Sequence, residues 1–308
     1  MEAKIESIEV KRMKTPGDYF VPRIKNYLSL VKFAHTIFAM PFALIGFFYG
    51  LKIMDYHLNR PWWLLLILVI LCMVFARSSA MACNRWQDAE YDAKNPRTSI
   101  REIPGGIISK RNAMIFVIFN CLAFIVTTYF INFICLILAP VALFVILFYS
   151  YTKRFTPLCH LVLGLGLSLS PIGAYIAVTG QFAIVLVLFS LSVLFWVSGL
   201  DIIYGLQGEE FDKKHQLHYI PSWLGANRAL YVSEFLHFLS ASSVIAAGII
   251  GGFSWLYLIG VILFIFFLIY QHILVKPNDL SKVDKAFFSS NGIASVVFCA
   301  FVLLDIFT

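Results

Sequence analysis

Trp62-Trp-Leu-Leu-Leu-Ile-Leu-Val-Ile-Leu-Cys-Met-Val-Phe-Ala-Arg77-Ser-Ser-Ala-Met-Ala-Cys-Asn84-Arg-Trp-Gln-Asp88-Ala-Glu-Tyr-Asp92 holds two messages in one helix-length run. Residues 62–82 are long and apolar enough to cross a bilayer. The run then turns polar, and Asn84, Asp88 and Asp92 recur every four residues, which stacks them along one helical face. Arg77 precedes Asn84 by seven residues and lies two turns deeper on that face.

The rest of the chain repeats the first message. Of 308 residues, 60% are apolar and 13% charged, against about 45–50% and about 25% in soluble domains. The continuous apolar runs exclude a soluble domain, and a β-barrel would alternate apolar with polar positions. The reading is an all-α integral membrane protein. Nine spans are expected near 27–50, 62–82, 112–130, 133–151, 158–179, 182–204, 228–250, 254–275 and 286–307, bundled around a central cavity that opens to the cytoplasmic side. Residues 1–26 form a basic N-terminal segment and 27–308 the membrane domain. With the N-terminus inside, 21 Lys/Arg fall in inner segments and two, Lys52 and Arg60, outside. That asymmetry is a positive-inside signal. It predicts a multi-pass protein of a bacterial-type inner membrane, N-terminus cytoplasmic and C-terminus on the opposite side. It also makes the net charge of +7 a topological device and not a nucleic-acid footprint. Six cysteines without C-x-x-C spacing argue against disulfide and zinc frameworks.

Two long inner loops, 84–111 and 205–227, concentrate the polar residues, each after the second helix of a hairpin. Ahead of the second loop stands Asp201-Ile-Ile-Tyr204-Gly-Leu-Gln207-Gly208-Glu209-Glu210-Phe-Asp212. Asp201, Gly208 and Asp212 share a helical face, bordered by Glu209. An ionisable group within an apolar span, such as Asp201, is costly and marks a functional site by default; the bland reading is an internal ion pair. The acidic row at Asn84/Asp88/Asp92 is a hard-oxygen surface suited to Mg²⁺, or else a solvated helix end. Lys94, Arg97 and Arg101, and then Lys153 and Arg154, suit a phosphorylated substrate, although positive-inside charge explains each singly.

Taken together, these motifs resemble the UbiA superfamily of intramembrane aromatic prenyltransferases. The resemblance rests on Asn84-x-x-x-Asp88-x-x-x-Asp92 followed by Asp-Ala-Lys-Asn-Pro-Arg-Thr at 92–98, and on Asp201 to Asp212. It extends to His35-Thr-Ile-Phe-Ala-Met-Pro-Phe42, Thr-Lys-Arg-Phe-Thr at 152–156 with His160 and Gly164, and Leu217-His218-Tyr-Ile-Pro221. The wording is most similar to 4-hydroxybenzoate-type enzymes, including the menaquinone branch that runs through futalosine.

The resemblance implies transfer of a polyprenyl group from a polyprenyl diphosphate to an aromatic acid acceptor in ubiquinone or menaquinone synthesis. It implies Mg²⁺ held by Asn84, Asp88, Asp92 and Asp212, with catalytic duty on Asp88, Asp92, Asp201 and Asp212. Substrate contacts fall to Arg77, Asn84, Lys94, Arg97, Arg101, Lys153, Arg154 and Tyr204. The family pattern has aspartate where this chain has Gly208, and Glu209 is the expected substitute metal ligand. Arg77 and Asp201 are expected to pair across the cavity, Arg77 also holding the acceptor carboxylate. Two alternatives stand beside this reading. One is a degenerate family member that binds without turnover; the other is a transporter using Arg77, Asp201 and Glu234.

Overall fold

The computed structural model describes residues 26–31 and 40–308. Its helices are α1 (Met40–Ile53), α2 (Trp62–Lys94), α3 (Lys110–Ile131), α4 (Phe133–Thr152), α5 (Cys159–Thr179) and α6 (Ile184–Gly205). After a tight turn at Leu206–Gly208 come the short α7 (Glu209–Lys214) and α8 (Ile220–Leu224). The chain ends with α9 (Ala226–Gly251), α10 (Trp255–Leu274) and, after a wide helical turn, α11 (Asn291–Phe307). Among the described residues, seven helices are long and apolar enough to span a bilayer, counting 184–214 as one, and α1 and α11 are shorter apolar helices. The chain is a polytopic all-α membrane protein. The expected first span is helical only over 26–30 and 40–53 within the described residues, and His35 and most of the basic N-terminal segment lie outside them.

Length explains how the polar rows leave the membrane. Helix α2 has 33 residues, about 50 Å at 1.5 Å each, against about 30 Å of hydrocarbon. Its last turns therefore project past the apolar layer and carry the acidic row with them. The run from α6 into α7 is similarly long, and it tightens into a 3₁₀ turn at Leu206–Gly208, where glycine weakens the helix.

Small residues set how closely the helices approach. A Cβ on Gly46 would stand 2.0 Å from the Pro171 carbonyl oxygen, so α1 meets α5 backbone to backbone. A Cβ on Gly164 would stand 2.3 Å from Ser198 Oγ, which brings α5 against α6. On the other side of α6, fully buried Phe42, Phe189, Trp196, Phe264 and Phe298 interlock α1, α6, α10 and α11 into the main core. Asp305 on α11 accepts from the backbone N–H of Ser254 at 3.0 Å and of Tyr257 at 3.1 Å, closing the open N-terminus of α10.

Candidate active site

Helices α2, α4, α5 and α6 surround a cavity of about 720 Å³. Its lower wall is apolar, with Val69, Met73, Ala139, Leu163, Leu167 and Ile172. Its other end is lined by both acidic rows, so Asn84, Asp88 and Asp92 meet Asp201, Gly208 and Asp212 in one space.

In the first row each carboxylate has a cation from another segment. Lys153 Nζ donates to Asp88 Oδ2 at 2.5 Å, and Asn84 Nδ2 donates to that same oxygen at 3.0 Å and to Ser150 Oγ at 3.1 Å. Asp88 Oδ1 is left buried and without a partner. Arg101 Nη1 donates to both oxygens of Asp92, at 2.7 and 2.9 Å. The loop that carries Arg101 is anchored by Thr98, whose hydroxyl donates to the Asp92 carbonyl at 3.1 Å. Arg97 crosses to the second half, donating to Gln207 Oε1 at 2.5 Å with its guanidinium over the Tyr204 ring. These contacts join the two inner loops above the cavity.

The second row is arranged otherwise. Asp201, a quarter exposed, is held by His160, not by Arg77: His160 Nδ1 lies 2.7 Å from Asp201 Oδ2. The Ile220 N–H donates to His160 Nε2 at 3.3 Å, which puts the ring proton on Nδ1, facing the carboxylate. Arg77 and Asp201 share the cavity but form no ion pair, and Arg77 Nε has no partner among the described residues. Asp212 lies against Gly208, its Oδ2 2.9 Å from where a glycine Cβ would stand, and makes no ion pair among the described residues.

Three expected contacts fall elsewhere. Glu209 pairs with Lys213 at 2.6 Å and is not part of the cavity wall: one residue after cavity-lining Gly208, it stands about 100° round the helix from it. Arg154 is exposed, donates to the Gln87 carbonyl at 3.0 Å and stacks on Tyr151 and Tyr91, which fastens α4 to α2. Lys94 is exposed at the end of α2, off the cavity. Glu234 is exposed on α9, off the cavity that Arg77 and Asp201 line, so the three charges of the transporter reading are not brought together.

The cavity also holds residues that sequence reasoning passed over. Tyr219 stands with its ring beside His160 and under Lys153 Nζ. Desolvation, and then the nearby carboxylates led by Asp88, raise its pKa well above the ordinary tyrosine value, so the hydroxyl stays neutral. Arg85, next to Asn84 in sequence, is 95% buried yet lines the cavity with an unpartnered Nε. Its only sequence signal was a basic residue at the mouth of a span, which the positive-inside pattern had already absorbed.

The donor chemistry suits a hard cation. Asp88, Asp92, Asp212 and Asn84 offer only oxygen ligands, and Asp88 Oδ1 is an orphan oxygen in a buried setting. Among the described residues, however, no three acidic, histidine or cysteine groups are gathered into a ready-made cage. Lys153 and Arg101 occupy the places beside two of the carboxylates.

Two acidic rows on projecting helix ends, meeting over an apolar cavity, match a known family. Residues 36–293 fit the UbiA prenyltransferase family. The chain belongs to that family. It is 26% identical over 238 residues to a 4-hydroxybenzoate octaprenyltransferase of Francisella tularensis subsp. novicida, covering 77% of this chain and 84% of the relative. Its fold follows the apo structure of a UbiA homolog from Aeropyrum pernix K1, with TM-score 0.78 and 28% identity over 88% of this chain and 98% of that one. A UbiA homolog from Archaeoglobus fulgidus bound to DMAPP and Mg²⁺ shares the fold at TM-score 0.70 and 19% identity, over 92% of this chain and 99% of that one.

Proposed function

We propose that this protein transfers a polyprenyl group from a polyprenyl diphosphate to an aromatic acid acceptor of the 4-hydroxybenzoate or hydroxynaphthoate type, on a ubiquinone or menaquinone pathway. The observation that carries the reading is the convergence of both acidic rows and several cations on one cavity with an apolar floor. The family match supports the transferase class, and the 4-hydroxybenzoate relative supports the acceptor class. The Archaeoglobus homolog's bound DMAPP and Mg²⁺ support the donor class and the metal.

In this reading Asp88, Asp92 and Asp212, with Asn84, hold Mg²⁺, which supplies Lewis-acid assistance to cleavage of the C–O bond. Lys153, Arg101 and Arg97 balance the charge of the departing diphosphate. The apolar walls keep water from the allylic carbon. Arg77 receives the acceptor's carboxylate. The ring carbon forms the new C–C bond and gives up its proton to Asp201, which lines the cavity while His160 holds its Oδ2. Neutral His160, committed to Ile220 at Nε2, orients Asp201 and does not itself take the proton. The complete bundle has nine spans, with the cavity mouth and the N-terminus on the cytoplasmic side of a bacterial-type inner membrane.

A second reading, a degenerate member that binds without turnover, draws on Gly208 in place of the family's aspartate. One assay separates them: purified protein with Mg²⁺, a polyprenyl diphosphate and a panel of aromatic acids. A prenylated acid with matched diphosphate release supports the transferase. Binding of the diphosphate without product from any acid supports the degenerate reading.

A further inference from the structure

The cations around the cavity fall into three groups. Lys153 and Arg101 are neutralised by Asp88 and Asp92, and Arg97 is engaged with Gln207 and the Tyr204 ring. Arg77 and Arg85 make up the third: both line the cavity, both have a buried Nε without a partner, and neither forms an ion pair among the described residues. They lie eight residues apart on α2, and Tyr149 of α4 is within electrostatic reach of both. Asp92 and Glu102 are near Arg85 as well, but Asp92 is taken up by Arg101.

A buried charge without a partner is expensive, and proteins keep one where something else completes it. Guanidinium offers a planar fork of donors matched to carboxylate or phosphate oxygens. We infer that Arg85 is a second oxyanion-binding residue of the cavity wall, beside the role given above to Arg77, and that a bound anion completes its countercharge. The inference deepens the transferase reading, on which the choice of anions rests. The anion comes from one of two sources, the carboxylate of the aromatic acceptor or a phosphate group of the diphosphate.

The test is direct binding, without turnover and without Mg²⁺. The full-length protein in detergent is titrated calorimetrically with 4-hydroxybenzoate and, separately, with inorganic pyrophosphate, as wild type, Arg85→Gln and Arg85→Lys. The expected result is that Arg85→Gln weakens one of the two anions by about tenfold or more, the loss expected for a charge-assisted hydrogen bond, with Arg85→Lys between the two proteins. The arm that weakens names the source. In the absence of anion, Arg85→Gln melts no lower than wild type, because an uncompensated buried charge has been removed. Wild-type affinity for both anions in Arg85→Gln overturns the inference, as does failure of wild type to bind either. A lower melting temperature for Arg85→Gln overturns it too, since the guanidinium is then a structural group. Anion binding through Arg85 in a protein that transfers no prenyl group would sink the transferase reading alone.

Discussion

The two acidic rows occupy the same cavity and are built on opposite plans. On α2, Asp88 and Asp92 are each clamped by a cation brought from elsewhere, Lys153 from the end of α4 and Arg101 from the following loop. On α6 and α7, Asp201 is held by a neutral imidazole, and Asp212 rests on Gly208 with no ion pair among the described residues. The first half is clamped by ion pairs; the second has none among the described residues and passes through a 3₁₀ turn that ends at a glycine. The difference teaches that matched spacing in sequence does not make matched sites. Both helices present their predicted faces to the cavity; what differs is which partners the neighbouring segments bring to each face.

The largest break in this comparison is expected on the clamped side. Asp88→Ala or Asp92→Ala leaves Lys153 or Arg101 without its countercharge and removes a metal donor. Transfer should fall by about a hundredfold or more, the scale of losing a group that stabilises transition-state charge. Single-turnover transfer at saturating Mg²⁺ measures it, and wild-type turnover in either variant would remove the metal assignment.

On the other side, His160→Ala frees the Asp201 carboxylate to swing, with an expected loss in kcat of about tenfold and little change in KM for the prenyl diphosphate. His160→Gln should recover most of that loss, because an amide both donates and accepts. Equal losses in the two variants would mean that the imidazole fills space only.

Next is the turn at Gly208. Gly208→Asp adds a carboxylate where its Cβ meets the movable end of Asp212, and the Mg²⁺ concentration for half-maximal transfer should drop a few-fold. Glu209→Ala should leave that concentration unchanged, since Glu209 is engaged with Lys213 outside the cavity. A rise in the Mg²⁺ requirement for Glu209→Ala would restore that residue as a ligand.

The smallest effect is expected at Arg154. Its neighbour Lys153 sits in the site, but Arg154 joins α4 to α2 through Gln87 and two tyrosine rings. Arg154→Ala should cost about 1 kcal/mol in stability, the worth of a hydrogen bond and an exposed cation–π contact. KM for the diphosphate should stay within about twofold, and a larger rise would return Arg154 to the phosphate site.

What was legible in the sequence was whatever depends on near neighbours. Apolar runs of span length, the four-residue period of Asn84, Asp88 and Asp92, the asymmetry of Lys and Arg, and the departure at Gly208 are all properties of one segment at a time. Helix geometry converts each into a face or a span without reference to the rest of the chain. Pairing is different, because it depends on how deep each helix sits and how it is rotated against its neighbours. Only the packed bundle gives Asp201 to His160 rather than to Arg77. It likewise makes Arg154 a tether and leaves Arg77 and Arg85 each with an Nε unpartnered among the described residues. Those outcomes turn on close approaches such as Gly164 against Ser198. A shift of about one residue, roughly 100° around a helix, would have exchanged the partners.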